Sequence, residues 1–211
     1  MADKTNGILQ TMTTKMEIDL PILSVGSIHK VREQITHDTY IFKFKLPDPE
    51  KELGLHLGGH LMFVADIPTK EHPKGEIVER KYTPTNRINH KGDIEFPIKI
   101  YRKNVHPNFP DGGIMTQYLE SLQIGDFVKM RGPRGRCEYQ GKGIWDIAPH
   151  PKFGGDHKTI KKTKIGMIAG GTGITPIFQI IQAALENRDI LDMTFLFGNR
   201  SEDDILMRDR L

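Results

Sequence analysis

At 211 residues the chain has room for one large domain or two small ones, and with 37% hydrophobic and 27% charged residues it reads as globular rather than disordered. A net charge of +3 is too mild to argue for nucleic acid, and no stripe of Arg and Lys interleaved with aromatics occurs. No apolar run approaches the ~20 residues of a membrane span, and a single Cys excludes an internal disulfide.

The start Met1-Ala2-Asp3-Lys4 lacks the plan of a signal peptide, and Ala2 excludes N-myristoylation. The expectation is a soluble, cytoplasmic monomer without a membrane-spanning segment, with peripheral membrane association left open. Residues 1–19 are polar and aperiodic and are expected to be a flexible lead-in. From Leu20 onward the chain reads as short strands broken by Gly, Pro and Asp. Tyr40–Leu46 alternates, Leu61–Ile67 is a mixed apolar run, and Ile94, Phe96, Ile98 and Ile100 alternate with Glu95, Pro97, Lys99 and Tyr101. Pro97 cannot donate to a ladder, so its strand belongs at an edge or carries a bulge. Met115, Tyr118, Leu119 and Leu122 form one helical stripe, opened by Gly112-Gly113 and closed by Gly125. Asp126–Met130 is a further strand. Many short antiparallel strands at this spacing predict a small barrel, with one helix, over residues 20–140.

Residues 141–162, rich in glycine and proline, are expected to form a linker, and Lys158 to Lys164 a solvated basic stretch within and just beyond it. The pattern then changes. Lys164–Ala169 is strand-like, Gly170-Gly171-Thr172-Gly173 is a turn, and Ile177, Ile180, Ile181, Ala184 and Leu185 make a helical stripe. Asp192–Phe197 reads as a second strand, and Ser201 with Asp204 as a capping box opening a further helix. This order predicts the start of an α/β doubly wound domain over residues 163–211.

Three segments carry chemistry. In Gly170-Gly171-Thr172-Gly173-Ile174-Thr175-Pro176 the glycines let backbone approach a diphosphate or ring, Thr175 suits the N-cap and Pro176 the first helical position. Arg80-Lys81-Tyr82-Thr83-Pro84-Thr85 joins a guanidinium fork for phosphate to a ring, a hydroxyl and a fixed turn. Gly112-Gly113-Ile114-Met115-Thr116 opens a helix whose N–H groups favour an anion. Residue chemistry alone leaves a ligand-free turn as open as a ligand site for the first segment, and favours a plain strand end and an ordinary solvated helix start for the other two. His56 and His60 have metal-site spacing, but Gly58-Gly59 between them argue against a helix, and no metal site is expected. Cys137 reads as inert packing.

In this order on one barrel, the three segments resemble the ferredoxin-reductase superfamily, and within it the NADH–cytochrome-b5 reductases. The wording between them is also similar: His106-Pro107-Asn108-Phe109-Pro110, Gln117-Tyr118-Leu119-Glu120, Ile124-Gly125-Asp126, Arg131-Gly132-Pro133-Arg134-Gly135 and Tyr139-Gln140-Gly141-Lys142-Gly143. The resemblance runs from about Leu20 to the last residue. It implies an FAD-binding antiparallel barrel followed by the start of a nicotinamide-binding α/β domain.

By that resemblance Arg80 holds the FAD diphosphate, Tyr82 packs along the ribityl chain, and Thr83 lies near flavin N5, with Pro84 completing the cofactor-binding strand end. Ile98, Lys99 and Tyr101 line the flavin ring. Gly113, Ile114, Met115 and Thr116 receive the diphosphate. Gly170, Gly171, Thr172, Gly173, Thr175 and Pro176 form the nicotinamide-side turn, with Thr83 and Thr172 nearest the reacting atoms. Gly198-Asn199-Arg200 with Glu202 and Asp203 resembles the next nucleotide-side loop. The implied activity is electron transfer from NADH through FAD to cytochrome b5 or a similar acidic haem protein. Two alternatives stand beside it: the flavin module of a nitrate-reductase-like enzyme, and a shortened, non-catalytic form that binds FAD or a partner.

Ile114 departs from the family's usual Lys in Gly-Gly-Lys-Met-Ser. The resemblance also implies further strands and a Cys-Gly-Pro-Pro segment, whereas Cys137 lies in the barrel and Leu211 is last. An apolar edge and face of the second sheet are therefore expected to lie uncovered.

Overall fold

The computed structural model describes the backbone of residues 18–24 and, in full, residues 33–211. Apart from its last two residues, the lead-in expected at 1–19 lies outside the described residues. The first domain is built from β1 (Ile18–Ser24), β2 (Glu33–Thr36), β3 (Thr39–Lys45), β4 (His60–Ile67), β5 (Glu76–Tyr82), β6 (Asp93–Lys99), α1 (Ile114–Ser121) and β7 (Phe127–Arg134). Its strands form two antiparallel sheets, ordered β1-β7-β4-β5 and β2-β3-β6.

Alternation along the strands explains how the two sheets close on one core. Phe42 and Phe44 of β3, Leu61 and Phe63 of β4, and Ile94, Phe96 and Ile98 of β6 all point inward and are buried. Phe44, Phe63 and Phe96 meet edge to face, with centroids 4.9 to 5.9 Å apart, the arrangement that the ring quadrupole favours. The α1 side chains Met115 and Leu119 plug the same core. Pro97 sits on β6, an edge strand of its sheet, where a missing donor costs no internal ladder bond.

The expected linker contains strands. After β8 (Cys137–Gly141) come β9 (Ile144–Ile147) and β10 (Lys158–Lys161), which pair antiparallel in the order β10-β9-β8. Its glycines serve tight turns, as at Gly143 with φ +76°. Tyr139, Trp145 and Ile160 alternate inward, a pattern too short to stand out among so many glycines. The basic stretch is thus strand and strand junction, with its lysines exposed.

The second domain places β11 (Lys164–Gly170) parallel to β12 (Asp192–Gly198), linked by α2 (Ile174–Glu186). The helix buries Ile174, Phe178, Gln179 and Ala184, a face rotated from the expected stripe; Leu185 is exposed. The reason is that α2 packs on the barrel as well as on its own sheet. After β12 come two single 3-10 turns (Glu202–Asp204 and Arg208–Arg210) rather than a helix. The Ser201 hydroxyl bonds the Asp204 carboxylate, 2.8 Å away, instead of capping backbone N–H groups. On the face of the sheet away from α2, Ile168 and Leu196 are 78% and 65% exposed, in line with the expected uncovered face.

Candidate functional site

One cleft of about 450 Å³ runs between the barrel and the second domain. Its first wall is the end of β5. Among the described residues this strand pairs only with β4, and Pro84, which has no N–H, follows its last residue closely. Arg80 and Tyr82 stand opposite Phe63 and Leu61 in the ladder. The Tyr82 ring packs on Phe63 with centroids 4.6 Å apart. Burial pushes its phenol up to about 12, outweighing the nearby Arg80, so Tyr82 stays a neutral hydrogen-bonding group at any working pH.

The second wall is β6 and the residue beyond it. Ile98 contributes apolar surface and Lys99 a cation. Burial alone would lower Lys99, but hydrogen bonds and charge from Asp38 (2.9 Å) and then Asp204 (3.4 Å) outweigh it and hold its ammonium above the ordinary range. Asp38 belongs to the barrel and Asp204 to the second domain, so Lys99 ties the two together inside the cleft. His37, Asp38 and Asp204 converge closely enough to suggest a cation site. The Lys99 ammonium already occupies the place between the two carboxylates.

The third wall is the start of α1. Gly113 N–H donates to the Tyr101 carbonyl (2.8 Å), and Tyr101 N–H donates to Thr116 Oγ1 (3.2 Å), so strand end and helix start hold each other in place. Gly112 has φ +69°, and a β-carbon there would lie 2.4 Å from the Tyr101 carbonyl oxygen. Only glycine fits. No side chain caps α1 and no acidic residue lies in its first turn, so the positive end of the helix faces the cleft unneutralised.

The fourth wall comes from the second domain. The 3-10 turn Gly171–Gly173 runs straight into α2, and Thr172, Thr175 and Pro176 line the cleft. Thr175 is the second residue of the helix rather than its N-cap, a place taken by Gly173. The 3-10 turn brings helical dihedrals in early, so the Thr175 hydroxyl turns back to the Thr172 carbonyl at 3.2 Å. Pro176 falls in the first turn, where its missing N–H leaves no helical bond unmade.

The cleft therefore brings together Arg80, Tyr82, Thr83, Ile98, Lys99, Tyr101, Gly113, Ile114, Met115, Thr116, Thr172, Thr175 and Pro176. Four expected residues lie off its lining. Pro84 is buried behind it, and Gly170, Gly171 and Gly173 shape the turn without facing the cavity. Lys81, Pro97 and Gly112 also line it and were not among the expected site residues. Strict alternation puts Lys81 and Pro97 on the face opposite Tyr82 and Ile98, a rule that fails at strand ends, where the chain turns toward the cleft. One further feature lies nearby. Asn199 follows Gly198, which pairs with Gly170, and its Oδ1 is buried without a hydrogen-bond partner among the described residues.

The family of oxidoreductase FAD-binding domains matches residues 28–139. The chain belongs to that family. Residues 167–211 match the oxidoreductase NAD-binding domain. Among curated proteins, NADH nitrate reductase 1 of Arabidopsis thaliana is 43% identical over 181 residues, covering 85% of this chain and 18% of that protein. NADH nitrate reductase 1 of Zea mays is 40% identical over 182 residues, covering 85% of this chain and 27% of that protein. This chain thus spans about a quarter or less of these relatives. Among solved structures, the cytochrome b5 reductase domain of Ulva prolifera nitrate reductase superposes with a TM-score of 0.76 at 35% identity, covering 90% of this chain and 65% of that one. The flavohem-like FAD/NAD-binding domain of a Vibrio cholerae nitric oxide dioxygenase, at 16% identity and a TM-score of 0.64, shares the fold. The antiparallel FAD-binding barrel and the start of a nicotinamide-binding domain are the architecture of this family.

Proposed function

We propose that the cleft holds FAD and that the chain passes electrons from NADH through it to a one-electron haem acceptor, cytochrome b5 or a similar acidic haem protein. The observation that carries this reading is the convergence of the Arg80–Thr83 strand end, the glycine-opened start of α1 and the Thr172–Pro176 turn on one cavity.

The donor set fits the group. Arg80, Lys81 and the uncapped end of α1 offer positive charge and N–H donors for a diphosphate. Pro97, Ile98 and Met115 offer apolar surface for a flat ring, and Thr83 and Lys99 polar contacts at its rim. A cavity of about 450 Å³ lies within the range of cofactor sites. Bound FAD would supply acceptance of a hydride and release of single electrons. The residues would orient it and exclude water: Tyr82 would pack along the ribityl chain, Ile98 would offer a face to the ring, Lys99 would set charge at one edge, and Thr172 would stand on the nicotinamide side. No protein acid or base is needed for the hydride step.

The net charge of +3 favours an acidic acceptor. Reduction of that acceptor is expected to slow with added salt; indifference to salt would remove the electrostatic part of the proposal. No helix among the described residues is long and apolar enough to cross a membrane, and a lone, exposed Cys137 fits a reducing, cytoplasmic setting. We take the chain to act as a monomer.

A second reading has its own support. The relatives named above are nitrate reductases, so the same cleft also suits the flavin module of a nitrate-reductase-like enzyme. Anaerobic titration with NADH tests the shared core of both. A yellow preparation that bleaches supports electron entry from NADH. One that stays yellow assigns the chain to FAD binding without turnover, and a colourless one removes the flavin proposal.

A further inference from the structure

Three connections meet at the amino-terminal end of the β11–β12 sheet. The β8–β9 turn brings Lys142 there, held as Lys162 N–H donates to the Gly143 carbonyl at 2.7 Å. Lys161 ends β10, Lys162 lies in the junction to β11, and Lys164 opens β11 opposite Asp192. Asp192 N–H also bonds the Thr163 carbonyl at 2.7 Å, which fixes the α2–β12 connection beside the lysines. That connection carries Arg188 and Ile190, the latter 92% exposed.

The charge at this end is unbalanced. Among the described residues none of these lysines enters an ion pair, whereas Lys43, Lys51, Lys70 and Lys99 all do. The carboxylates on the α2–β12 connection and at the start of β12 are Asp189, which accepts from the neutral Tyr139 hydroxyl, and Asp192, against Lys142, Lys161, Lys162, Lys164 and Arg188. The cofactor cleft cannot be what the lysines serve. It lies beyond the opposite ends of the strands, and a seven-residue strand spans about 23 Å.

We propose that this end of the second domain docks on a membrane leaflet rich in anionic phospholipid, with Ile190 entering the headgroup region. Lysines on flexible stems suit a diffuse negative surface better than the fixed geometry of a protein carboxylate or phosphate, for which arginine forks are matched. An almost fully exposed isoleucine at the tip adds an apolar contact that a leaflet accepts without a preformed pocket. No aromatic side chain interleaves the lysines to stack nucleic-acid bases.

The test is co-sedimentation of the whole chain with vesicles of phosphatidylcholine, with and without phosphatidylserine. Binding is expected only to the phosphatidylserine vesicles and is expected to fall with salt. Lys162→Gln with Lys164→Gln should weaken it about 25-fold, from roughly fivefold for each lysine near an anionic surface. Ile190→Asp should weaken it further, and Lys74→Gln, away from this end, should not. Melting temperature and flavin content, read alongside, separate lost docking from lost fold. Equal sedimentation with neutral vesicles would overturn the proposal, as would no binding to anionic ones at low salt or indifference to the substitutions. So would an acidic haem protein that binds through the same lysines while vesicles go unbound. None of these outcomes depends on whether NADH bleaches the flavin.

Discussion

Gln179 reaches out of α2 and donates a buried hydrogen bond to the Pro84 carbonyl, 2.8 Å away. Its Oε1 accepts from Gly58 N–H at 3.2 Å, so one side chain satisfies two barrel loops from the second domain. Replacement by alanine leaves both backbone groups without that partner. The expected loss is about 2 kcal/mol, read as a lower melting temperature. The Pro84 carbonyl adjoins the cleft wall, so FAD affinity should fall with it. An unchanged melting temperature would mean that water replaces the amide.

Gly112 is the tightest backbone position in the cleft. With φ +69°, alanine pays about 1–2 kcal/mol for left-handed backbone and in addition meets the Tyr101 carbonyl. Gly54, at φ +72°, has nothing within 4 Å of the same atom. Gly112→Ala is therefore expected to destabilise more than Gly54→Ala and to release flavin, while Gly54→Ala keeps its colour. Equal melting temperatures and equal flavin content would show that the α1 start shifts freely.

The barrel and the cleft were legible in the sequence where side-chain chemistry repeats or is sterically forced. The alternation around Phe96 gave a strand, Pro97 its place at an edge, and Gly112-Gly113 the opening of α1. The failures come from local geometry that composition hides, and in one place from a contact distant in sequence. Thr175 is a good N-cap by local chemistry, yet the 3-10 turn before it moves the helix start to Ile174. Ser201 and Asp204 have capping-box spacing, but their side chains bond each other, Asp204 also meets Lys99 of the barrel, and a single 3-10 turn results. Residues 141–162 look like a linker because their strands are four residues long and pair with one another between glycine turns.

Ile114 is the first residue of α1, half-buried against the barrel core, and lines the same cleft as Arg80 and Lys81. Lysine there would add a cation where the helix start already favours an anion. Ile114→Lys is expected to tighten FAD by up to about 1 kcal/mol, roughly fivefold, since an exposed charge contributes no more. Titration of apoprotein with FAD measures it. Unchanged affinity would place the diphosphate elsewhere, or show that Lys81 already fills that role.

His60 opens β4 and titrates below its ordinary value of 6.5, first because it is half-buried and then because Lys81, His56 and Arg134 add positive charge around it. In the unfolded chain the same imidazole takes up its proton near 6.5. Between the two values the unfolded state binds more protons, so this group's contribution falls as the pH drops below 6.5 and levels off once folded His60 is protonated too. His60→Gln removes that term. Plotted from about pH 7.5 down to 5, the window the shift implies, the melting temperature of the variant should decline less steeply than that of the parent chain. Parallel curves would mean that His60 carries the same proton affinity folded and unfolded, and that Lys81 and Arg134 direct their charge away from it.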